Sequence, residues 1–557
     1  MGQYGKGGIT MNPVEHISFE ESQSAPKMLS LPEQILMRPD LALVGTGSLS
    51  CIRALYLESA RLGKTHQFFP CLQSAQSYAA GRHGKALEDL LNQVLRIPGV
   101  GGIIVYASCM DVLSQTDFEG IFSRLDNPKA IPVYALLRGP MVKRYLKPGK
   151  MLQNIFSELP ESTGAISKEK RFFPPPAPDF QFVSSALQYM DTMPFLLTAG
   201  GCGGALESAG TPKKDYRLSH TRFNDIQMTM GVEEEAASCI ASDYWAQAPE
   251  NRKSHVCLMG SAVPAFTGTD HNAIVDQASG LSVLDLGCDG FTSGISALAW
   301  ALKTLAKFTL LPQAQVKPGL VDILGYCGAV LGKPEKLESG MEHLRKCGFT
   351  PLFWGEGVFR GEELPQLNWV VSTAGLPQAE WMKEAYGVPY LTGIPFGSRQ
   401  MLRWCNWVNQ CMGRENVPLS TTPTPQPVLE GKRGLLIGEP LLIKNIGDFL
   451  TEELGSQLPA LAVYAPMPEQ RRFYREMCPE LPIRYFGSVE ELRTLAKDMD
   501  YVIGDPEFYL DGMPWIPLSD PQVSGDRYLD TTYAIFGKEG SAWLVEKIKT
   551  ILKGETT

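Results

Sequence analysis

The feature that most constrains this chain is an internal repeat of one local pattern. Residues 41–51 and residues 195–207 each combine an apolar run, a break rich in glycine or serine, and a cysteine. The apolar run predicts a buried strand, and the glycines let the backbone turn sharply and approach a bound group closely. The two cysteines, Cys51 and Cys202, are 151 residues apart. We therefore predict that they follow corresponding strands of two duplicated modules.

Two further features recur at nearly the same spacing. Residues 116–121 resemble residues 269–274, and residues 131–136 resemble residues 281–286. Spacings that agree within a few residues over three separate features are what an internal duplication produces. The alternative is that any two α/β modules look alike, without a duplication.

Apolar runs alternate with helical stretches along most of the chain, which predicts parallel sheets with crossover helices. The expected fold class is α/β, with several Rossmann-like modules of which the first two are duplicates. The predicted division is a polar N-terminal tail (1–40), a first, cluster-binding α/β module (41–146), a proline-rich connector (147–192), a second α/β module (193–317), a third α/β module (318–415), a Thr/Pro linker (416–430) and a fourth α/β module (431–557). The connector ends in a triple proline that can continue neither a helix nor a central strand, so we expect it to be semi-rigid.

The strongest strand predictions follow the apolar runs of these modules. They are residues 41–45, 102–107, 131–137, 195–199, 255–259, 281–286, 321–325, 369–372, 389–394, 434–438, 460–464 and 501–503.

Charge and hydropathy argue against several classes of partner. A net charge of -9 and a pI of about 5.5 disfavour nucleic acid. The N-terminal residues lack the apolar core of a signal peptide, and the most apolar helical stretch, 295–311, is interrupted by Lys303 and Lys307. We therefore expect a cytoplasmic protein with no nucleic-acid partner and no membrane partner.

Three of the twelve cysteines fall together in the first module. Cys51 and Cys109 each follow a predicted strand, and Cys71 lies in the predicted loop between them. Ligands bind at the carboxyl ends of parallel strands, so these thiols can converge on one object. Soft thiolates favour iron–sulfur clusters or zinc. The alternative reading is three unrelated core thiols.

The second module keeps only one of these cysteines, Cys202. It has Arg222 at the place of Cys71 and Gly260 or Ser261 at the place of Cys109. Three ligands from one module and one from its duplicate make the four that a 4Fe–4S cluster takes. This arrangement needs the modules to face each other about a pseudo-twofold axis. Cys202 is then the fourth ligand, or else the remnant of a site that the second module has lost.

These features resemble the nitrogenase component 1 superfamily, which includes nitrogenase subunits, the dark-operative protochlorophyllide reductase and related tetrapyrrole reductases. The resemblance covers most of the chain. It rests on the four cysteines in their settings, with Asp117 after the third, and on residues 81–85, 220–225, 260–270, 322–326 and 390–397.

The resemblance implies an oxidoreductase that holds an iron–sulfur cluster between two such modules and works under anaerobic conditions. Low-potential electrons would come from a separate ATP-hydrolysing iron protein, and a second nitrogenase-like subunit or a homodimer is a possible assembly. The substrate, which is not identified, would bind where the third and fourth modules face the second. The chain has no phosphate-binding P-loop of its own, which fits this division of labour.

The chain also departs from the family pattern. Members usually carry one cluster-binding module per subunit, whereas here an extra module is fused at the N-terminus, so that one chain would build a complete site. Cys327 lies roughly where nitrogenase has a cysteine ligand to its catalytic cofactor. Because no matching histidine follows, we expect Cys327 to be a core thiol, like Cys405 and Cys411. Two other functions remain open, a non-catalytic scaffold for metal-cofactor assembly and a metal-free Rossmann-like binding protein.

Overall fold

The structure is a computed structural model that describes residues 14–18, 30–139, 141–142, 146–162, 164–200, 217–357, 359–411, 413–415, 427–525, 527–528 and 535–552. These residues form four β-sheets that alternate with helices along the chain. In these ranges no helix is both long enough and apolar enough to cross a membrane.

The first described strand, β1 (Val14–Ser18), pairs antiparallel with a strand of the second sheet rather than with the sheet that follows it. The helix α1 (Leu31–Leu36) comes next. Residues expected to form a polar tail therefore contribute both a strand and a helix.

The first sheet has four parallel strands in the order β3-β2-β4-β5. Every residue of β2 is buried, as expected for a strand that is covered on both faces. The strands are β2 (Leu41–Gly47), β3 (Phe68–Leu72), β4 (Gly102–Ala107) and β5 (Val133–Leu137). The helices are α2 (Leu49–Arg61), α3 (Ala75–Ala79), α4 (His83–Val94), α5 (Cys109–Leu113), α6 (Phe118–Ser123) and α7 (Pro148–Glu158).

The second sheet has the order β1-β7-β6-β8-β9, which repeats the first sheet strand for strand once β1 is set aside. Its remaining strands are β6 (Thr192–Leu197), β7 (Arg217–Thr221), β8 (His255–Gly260) and β9 (Val283–Asp285). The helices are α8 (Asp179–Leu187), α9 (Asp225–Met230), α10 (Glu233–Ala246), α11 (Ala262–Thr267), α12 (His271–Gln277) and α13 (Gly294–Thr309). The common strand order is what the internal repeat predicts.

The third sheet has the order β11-β10-β12-β13, and the fourth has β16-β15-β14-β17-β18. All pairings in both sheets are parallel. The strands are β10 (Gln315–Leu324), β11 (Thr350–Phe353), β12 (Glu363–Val370), β13 (Tyr390–Thr392), β14 (Gly434–Ile437), β15 (Ala460–Tyr464), β16 (Ile483–Phe486), β17 (Tyr501–Gly504) and β18 (Trp515–Pro517). The helices are α14 (Gly328–Leu331), α15 (Glu338–Lys346), α16 (Leu376–Tyr386), α17 (Gly397–Cys411), α18 (Pro440–Leu454), α19 (Pro468–Met477), α20 (Val489–Ala496), α21 (Pro521–Ser524) and α22 (Gly537–Leu552).

The expected fold class is thus confirmed: four sheets of parallel strands with interleaved helices. The proposed limits of the individual modules stay a prediction, and the linker 416–430 lies largely outside the described residues.

The proline-rich segment is more than a connector. The triple proline is buried, and it joins the first module to the fourth through its carbonyl groups. Arg53 of α2 donates to the carbonyl oxygen of Pro175 at 2.6 Å, and the hydroxyl of Tyr464 on β15 donates to that of Pro174 at 2.7 Å. The segment is therefore packed between two modules rather than exposed as a spacer.

Candidate metal centre

The three cysteines of the first module lie at the carboxyl edge of the first sheet. Cys51 is in the first turn of α2, directly after β2, and Cys109 is the first residue of α5, directly after β4. In the order β3-β2-β4-β5 these two strands flank the point where the connections change direction, which is where open α/β sheets bind ligands.

Cys71 corrects one sequence expectation, because it lies in a strand and not in a loop. It is the fourth residue of β3 and pairs in register with Thr46 of β2. The preceding Pro70 argued against a strand, but β3 is an edge strand, where the missing N–H of a proline is tolerated. Pairing with Thr46 places Cys71 near the end of β2, on the side of Cys51.

Two of the sulfur atoms accept hydrogen bonds from side chains, and a glycine lies beside the third. The Ser48 hydroxyl donates to Cys51 Sγ at 3.8 Å, and the Gln73 amide donates to Cys71 Sγ at 3.2 Å. At Gly139 the backbone φ is 126°, and a Cβ there would lie 2.0 Å from Cys109 Sγ. Only glycine leaves this space beside the thiol free.

A buried carboxylate, Asp111, connects the elements that carry the cysteines. Its Oδ2 accepts from the N–H and the hydroxyl of Ser108, both at 2.9 Å, and Ser108 immediately precedes Cys109. Its Oδ1 accepts from the Tyr78 hydroxyl at 3.1 Å and from Thr46 Oγ1 at 3.4 Å. Asp111 was not predicted as part of the site, although Ser108 and Asp111 have the spacing of a helix capping box, which α5 does form.

We expect Asp111→Ala to lower the free energy of unfolding by about 3 kcal/mol, since it leaves buried donors of Ser108 and Tyr78 without an acceptor. Urea denaturation followed by tryptophan fluorescence measures the change. Asp117 is a matched control, because it caps α6 from an exposed position, its Oδ1 accepting from the Gly120 N–H at 2.8 Å. Asp117→Ala should cost about 1 kcal/mol. Equal losses in the two variants would contradict the connecting role of Asp111.

The electrostatics of the site keep the Cys51 and Cys71 thiols protonated when no metal is bound. Burial raises the pKa of Cys51 despite the nearby serine hydroxyls, and the Asp111 carboxylate adds to this effect. The same two causes raise the pKa of Cys71 to about 12. A bound metal would have to displace these protons, so binding at this site would release protons.

The carboxyl edge of the first sheet faces the second module. The helix α5, which begins with Cys109, packs against α11, which occupies the same place after β8 in the second module. The Tyr78 ring lies edge-on to the Phe266 ring of α11, with 6.0 Å between centroids. Contact between corresponding helices of two duplicates is what a pseudo-twofold axis through this interface produces.

Cys202 lies outside the described residues, so its position relative to the other three cysteines stays a prediction. The strand that leads to it, β6, ends at Leu197, in the same apolar cluster as Cys109. The pairing registers refine the other correspondences. In the second module the residue after the Leu196–His220 pair is Thr221, so Thr221 and not Arg222 corresponds to Cys71. Ala262 is the first residue of α11, as Cys109 is of α5, so Ala262 corresponds to Cys109.

The donor set fits an iron–sulfur cluster better than a single ion. Among the described residues, no three His, Cys, Asp or Glu side chains lie close enough together to hold one metal ion. Ligands of a cluster are more widely spaced, because each of them binds a different iron. Thiols from three separate elements at one sheet edge are suited to such a group. None of the cysteines in the described ranges forms a disulfide.

A second candidate region is a small cavity of about 20 Å³, which has room for about one water molecule, between α8, α13 and the fourth module. Phe182 of α8 and Gly294 of α13 line it on one side, and Tyr464, Gln470 and Asp520 line it from the fourth module. The cavity is too small for a substrate and the third module contributes no residue to this lining, so the crevice expected for the substrate stays a prediction. Cys327 does not face it, since that thiol is fully buried and donates to the Phe182 carbonyl at 3.4 Å.

Two aspartates beside this cavity have unusual acidities. Burial is the main cause that raises the pKa of Asp505 to about 7 and that of Asp520 to about 8. The Glu507 carboxylate contributes to the shift of Asp505, and the Asp505 carboxylate contributes to that of Asp520. The Asp520 N–H and the Ser524 hydroxyl both donate to Asp505 Oδ2 at 2.7 Å. Around neutral pH this pair therefore retains protons that ordinary aspartates lose.

These shifts predict that the protein becomes less stable as pH rises from about 4 to about 8. Within this window the folded chain binds more protons than the unfolded chain, so the free energy of unfolding falls with rising pH, by up to about 1.4 kcal/mol per pH unit for each proton. Urea titrations at several pH values measure the slope. Asp520→Asn should flatten it, whereas Asp511→Asn, an exposed position in the same module, should not. Identical slopes in all three proteins would contradict the assignment.

Comparisons with known proteins confirm the family resemblance. A family described as Nitrogenase component 1 type Oxidoreductase matches residues 183–550, more than half of the chain. A solved structure titled "Nitrogenase Cp1 at pH 6.5" is similar in fold, with a TM-score of 0.52 and 14% identity over 73% of this chain and 97% of that chain. Another, "Nitrogenase Cp1 at pH 5", has a TM-score of 0.49 and 14% identity over 70% and 92%. No curated protein matches the chain. The first module, with its three cysteines, lies outside the matched range, and from residue 183 onward the chain belongs to the nitrogenase component 1 type oxidoreductase family.

Proposed function

We propose that this chain is a nitrogenase-like oxidoreductase subunit in which Cys51, Cys71, Cys109 and Cys202 bind a 4Fe–4S cluster. The first three residues would supply ligands from the fused N-terminal module, and Cys202 would supply the fourth from the duplicate. One chain would then contain both halves of a site that relatives usually divide between subunits.

One observation carries this proposal. The sheet edge with three cysteines faces the equivalent edge of the duplicated module, and the corresponding helices α5 and α11 are in contact. Cys51 and Cys109 flank the switch point of the first sheet, where open α/β sheets bind ligands, and Cys71 lies near the end of the adjacent edge strand. The family to which the chain belongs independently favours redox chemistry.

A bound cluster of this kind supplies one-electron transfer at low potential. The residues of this chain would hold it and adjust its surroundings. Hydrogen bonds from Ser48 to Cys51 Sγ and from Gln73 to Cys71 Sγ would stabilise the thiolates, and burial of Cys71 and Cys109 would exclude water.

The electrons would come from a separate ATP-hydrolysing iron protein, since the chain has no P-loop of its own. The unidentified substrate would bind in the crevice where the third and fourth modules face the second. A second nitrogenase-like subunit or a second copy of the chain would complete the assembly.

Anaerobic purification followed by iron and sulfide analysis tests the cofactor. About four irons and four sulfides per chain are expected, with an electron paramagnetic resonance signal after reduction. A colourless protein without iron would overturn the proposal and favour a metal-free binding protein. Turnover of a substrate with a partner iron protein would separate the reductase from an assembly scaffold.

Cys202→Ala tests whether the site is built within one chain. We expect a loss of most of the iron, or conversion to a cluster with fewer irons, measured by iron analysis and paramagnetic resonance. Cys239→Ala is the control, because this thiol is buried on α10 of the same module. Unchanged iron content and spectrum in Cys202→Ala would show that the fourth ligand comes from another residue or another subunit.

A further inference from the structure

The third module brings two thiols to one imidazole, far along the chain from the candidate metal centre. His343 lies on α15, Cys347 directly follows that helix, and Cys405 lies on α17. His343 Nε2 is 3.0 Å from Cys405 Sγ and 3.6 Å from Cys347 Sγ. We propose that Cys347 and Cys405 form a redox-active thiol pair, with His343 as its base, that a peroxide converts to a disulfide joining α15 to α17.

The geometry holds the three side chains together. His343 and Cys347 are four residues apart, so they lie on the same side of one helical stretch. The Trp404 ring packs against the His343 ring, with 5.5 Å between centroids, and so fixes the imidazole beside Cys405. Both sulfurs are hydrogen-bonded to the same nitrogen, which places them within two hydrogen-bond lengths of each other.

Accessibility distinguishes this pair from most other thiols of the chain. Cys347 and Cys405 are partly exposed, whereas Cys257, Cys288 and Cys327 are buried in the core. Cys405, which was expected to be a core thiol, packs against the core but is only partly buried, as is Cys411, because α17 has one face at the surface. A small oxidant in solution can reach this pair.

The electrostatics keep His343 in the neutral form that can accept a proton, and the same effects make it a weaker base. Burial and the positive charge of Lys346 lower the pKa of His343, so the imidazole is neutral near pH 7 and can accept a proton. Burial and the neighbouring Cys347 raise the pKa of Cys405 to about 11. Since few Cys405 thiolates form spontaneously, the reaction depends on the adjacent base.

The reaction balances as a two-electron oxidation of the dithiol by hydrogen peroxide. His343 Nε2 takes the proton of Cys405, and the Cys405 sulfur attacks one peroxide oxygen. The O–O bond breaks, and the other oxygen accepts a proton and leaves as water. The resulting sulfenic acid is attacked by Cys347 sulfur, the S–S bond forms, and the S–O bond breaks to release a second water. Two thiols and one peroxide thus give one disulfide and two waters.

Peptide mapping of the peroxide-treated, anaerobically purified full-length protein tests the proposal. Free thiols are alkylated, the protein is digested with trypsin without reduction, and linked peptides are identified by mass spectrometry. We expect a Cys347–Cys405 link that disappears on reduction. Trypsin cleaves after Arg403 and Arg414, so Cys405 and Cys411 lie in the same peptide. Cys411→Ser is therefore the control, and this variant must still form the link.

The kinetics test the role of the base. His343→Gln should slow formation of the link by roughly 100-fold, the lower end of what a positioned base contributes. Absence of a Cys347–Cys405 link in the wild-type protein would overturn the proposal, and so would a link that requires Cys411. Oxidation of His343→Gln at the wild-type rate would overturn the assignment of the base. The mapping of the wild-type protein does not depend on any variant being folded.

Discussion

Replacing Cys71 by alanine is expected to lower the iron bound by the anaerobically purified protein from about four atoms per chain to less than one. Cys71 Sγ accepts from Gln73 at the end of β3, and no other described thiol or carboxylate of that strand could replace it. Loss of one of four ligands leaves an iron open to solvent, and such clusters are readily lost. Iron analysis and visible absorption of the variant measure the effect.

A second strand cysteine provides the control for this experiment. Cys257 lies on β8, is fully buried and takes part in the core between the second and third modules. Removing its sulfur creates a similar small cavity, so Cys257→Ala should cost a similar amount of stability and retain its iron. If Cys71→Ala also retains its iron, the cysteines of the first module are core thiols and the proposed function is wrong.

Phe173→Ala is expected to lower the free energy of unfolding by about 3–5 kcal/mol. Phe173 is 4% exposed and lies just before the triple proline. Its ring lies edge-on to the rings of Tyr464, Phe486 and Phe508 in the fourth module, with centroid distances of 5.8, 5.9 and 5.0 Å. Truncation would remove a whole buried ring and leave a cavity in this cluster. Urea denaturation with tryptophan fluorescence measures the loss.

An exposed phenylalanine gives the reference for this effect. Phe308 on α13 is 45% exposed, so Phe308→Ala should change the free energy of unfolding by about 0.5 kcal/mol or less. A comparably small effect of Phe173→Ala would show that the proline-rich segment is a spacer, as the sequence suggested. A large effect would show that this segment is packed into the core of the fourth module.

Much of the secondary structure could be predicted because it depends on local patterns. The strands β4 and β15 have the bounds expected from their apolar runs. Asp117 and Asp270 cap helices, a role that the local sequence favours for aspartate. The strand β3 was missed because Pro70 breaks the local pattern. Only the position of β3 at the edge of the sheet shows why a proline is acceptable there.

The cysteines of the candidate site could be predicted from the sequence, but the hydrogen bonds that hold them in place could not. Cysteines that follow strands of a duplicated α/β pattern can be found from spacing alone. The hydrogen bonds from Thr46 and Tyr78 to Asp111 join residues up to 65 positions apart, and no local pattern records them, whereas the bond with Ser108 belongs to a local capping box. The thiol pair around His343 was not predicted for the same reason, since α15 and α17 are distant in the chain.

By itself, the sequence determined that the chain is α/β, that its first two modules repeat each other, and that Cys51 and Cys109 follow strands. These properties follow from apolar periodicity, glycine breaks and spacing, which act over a few residues or recur along the chain. The tertiary structure decided that the edge carrying these cysteines faces the duplicated module and that the triple proline is buried between two modules. Both depend on packing between distant surfaces, where the gain comes from burying apolar area that no single segment can cover alone.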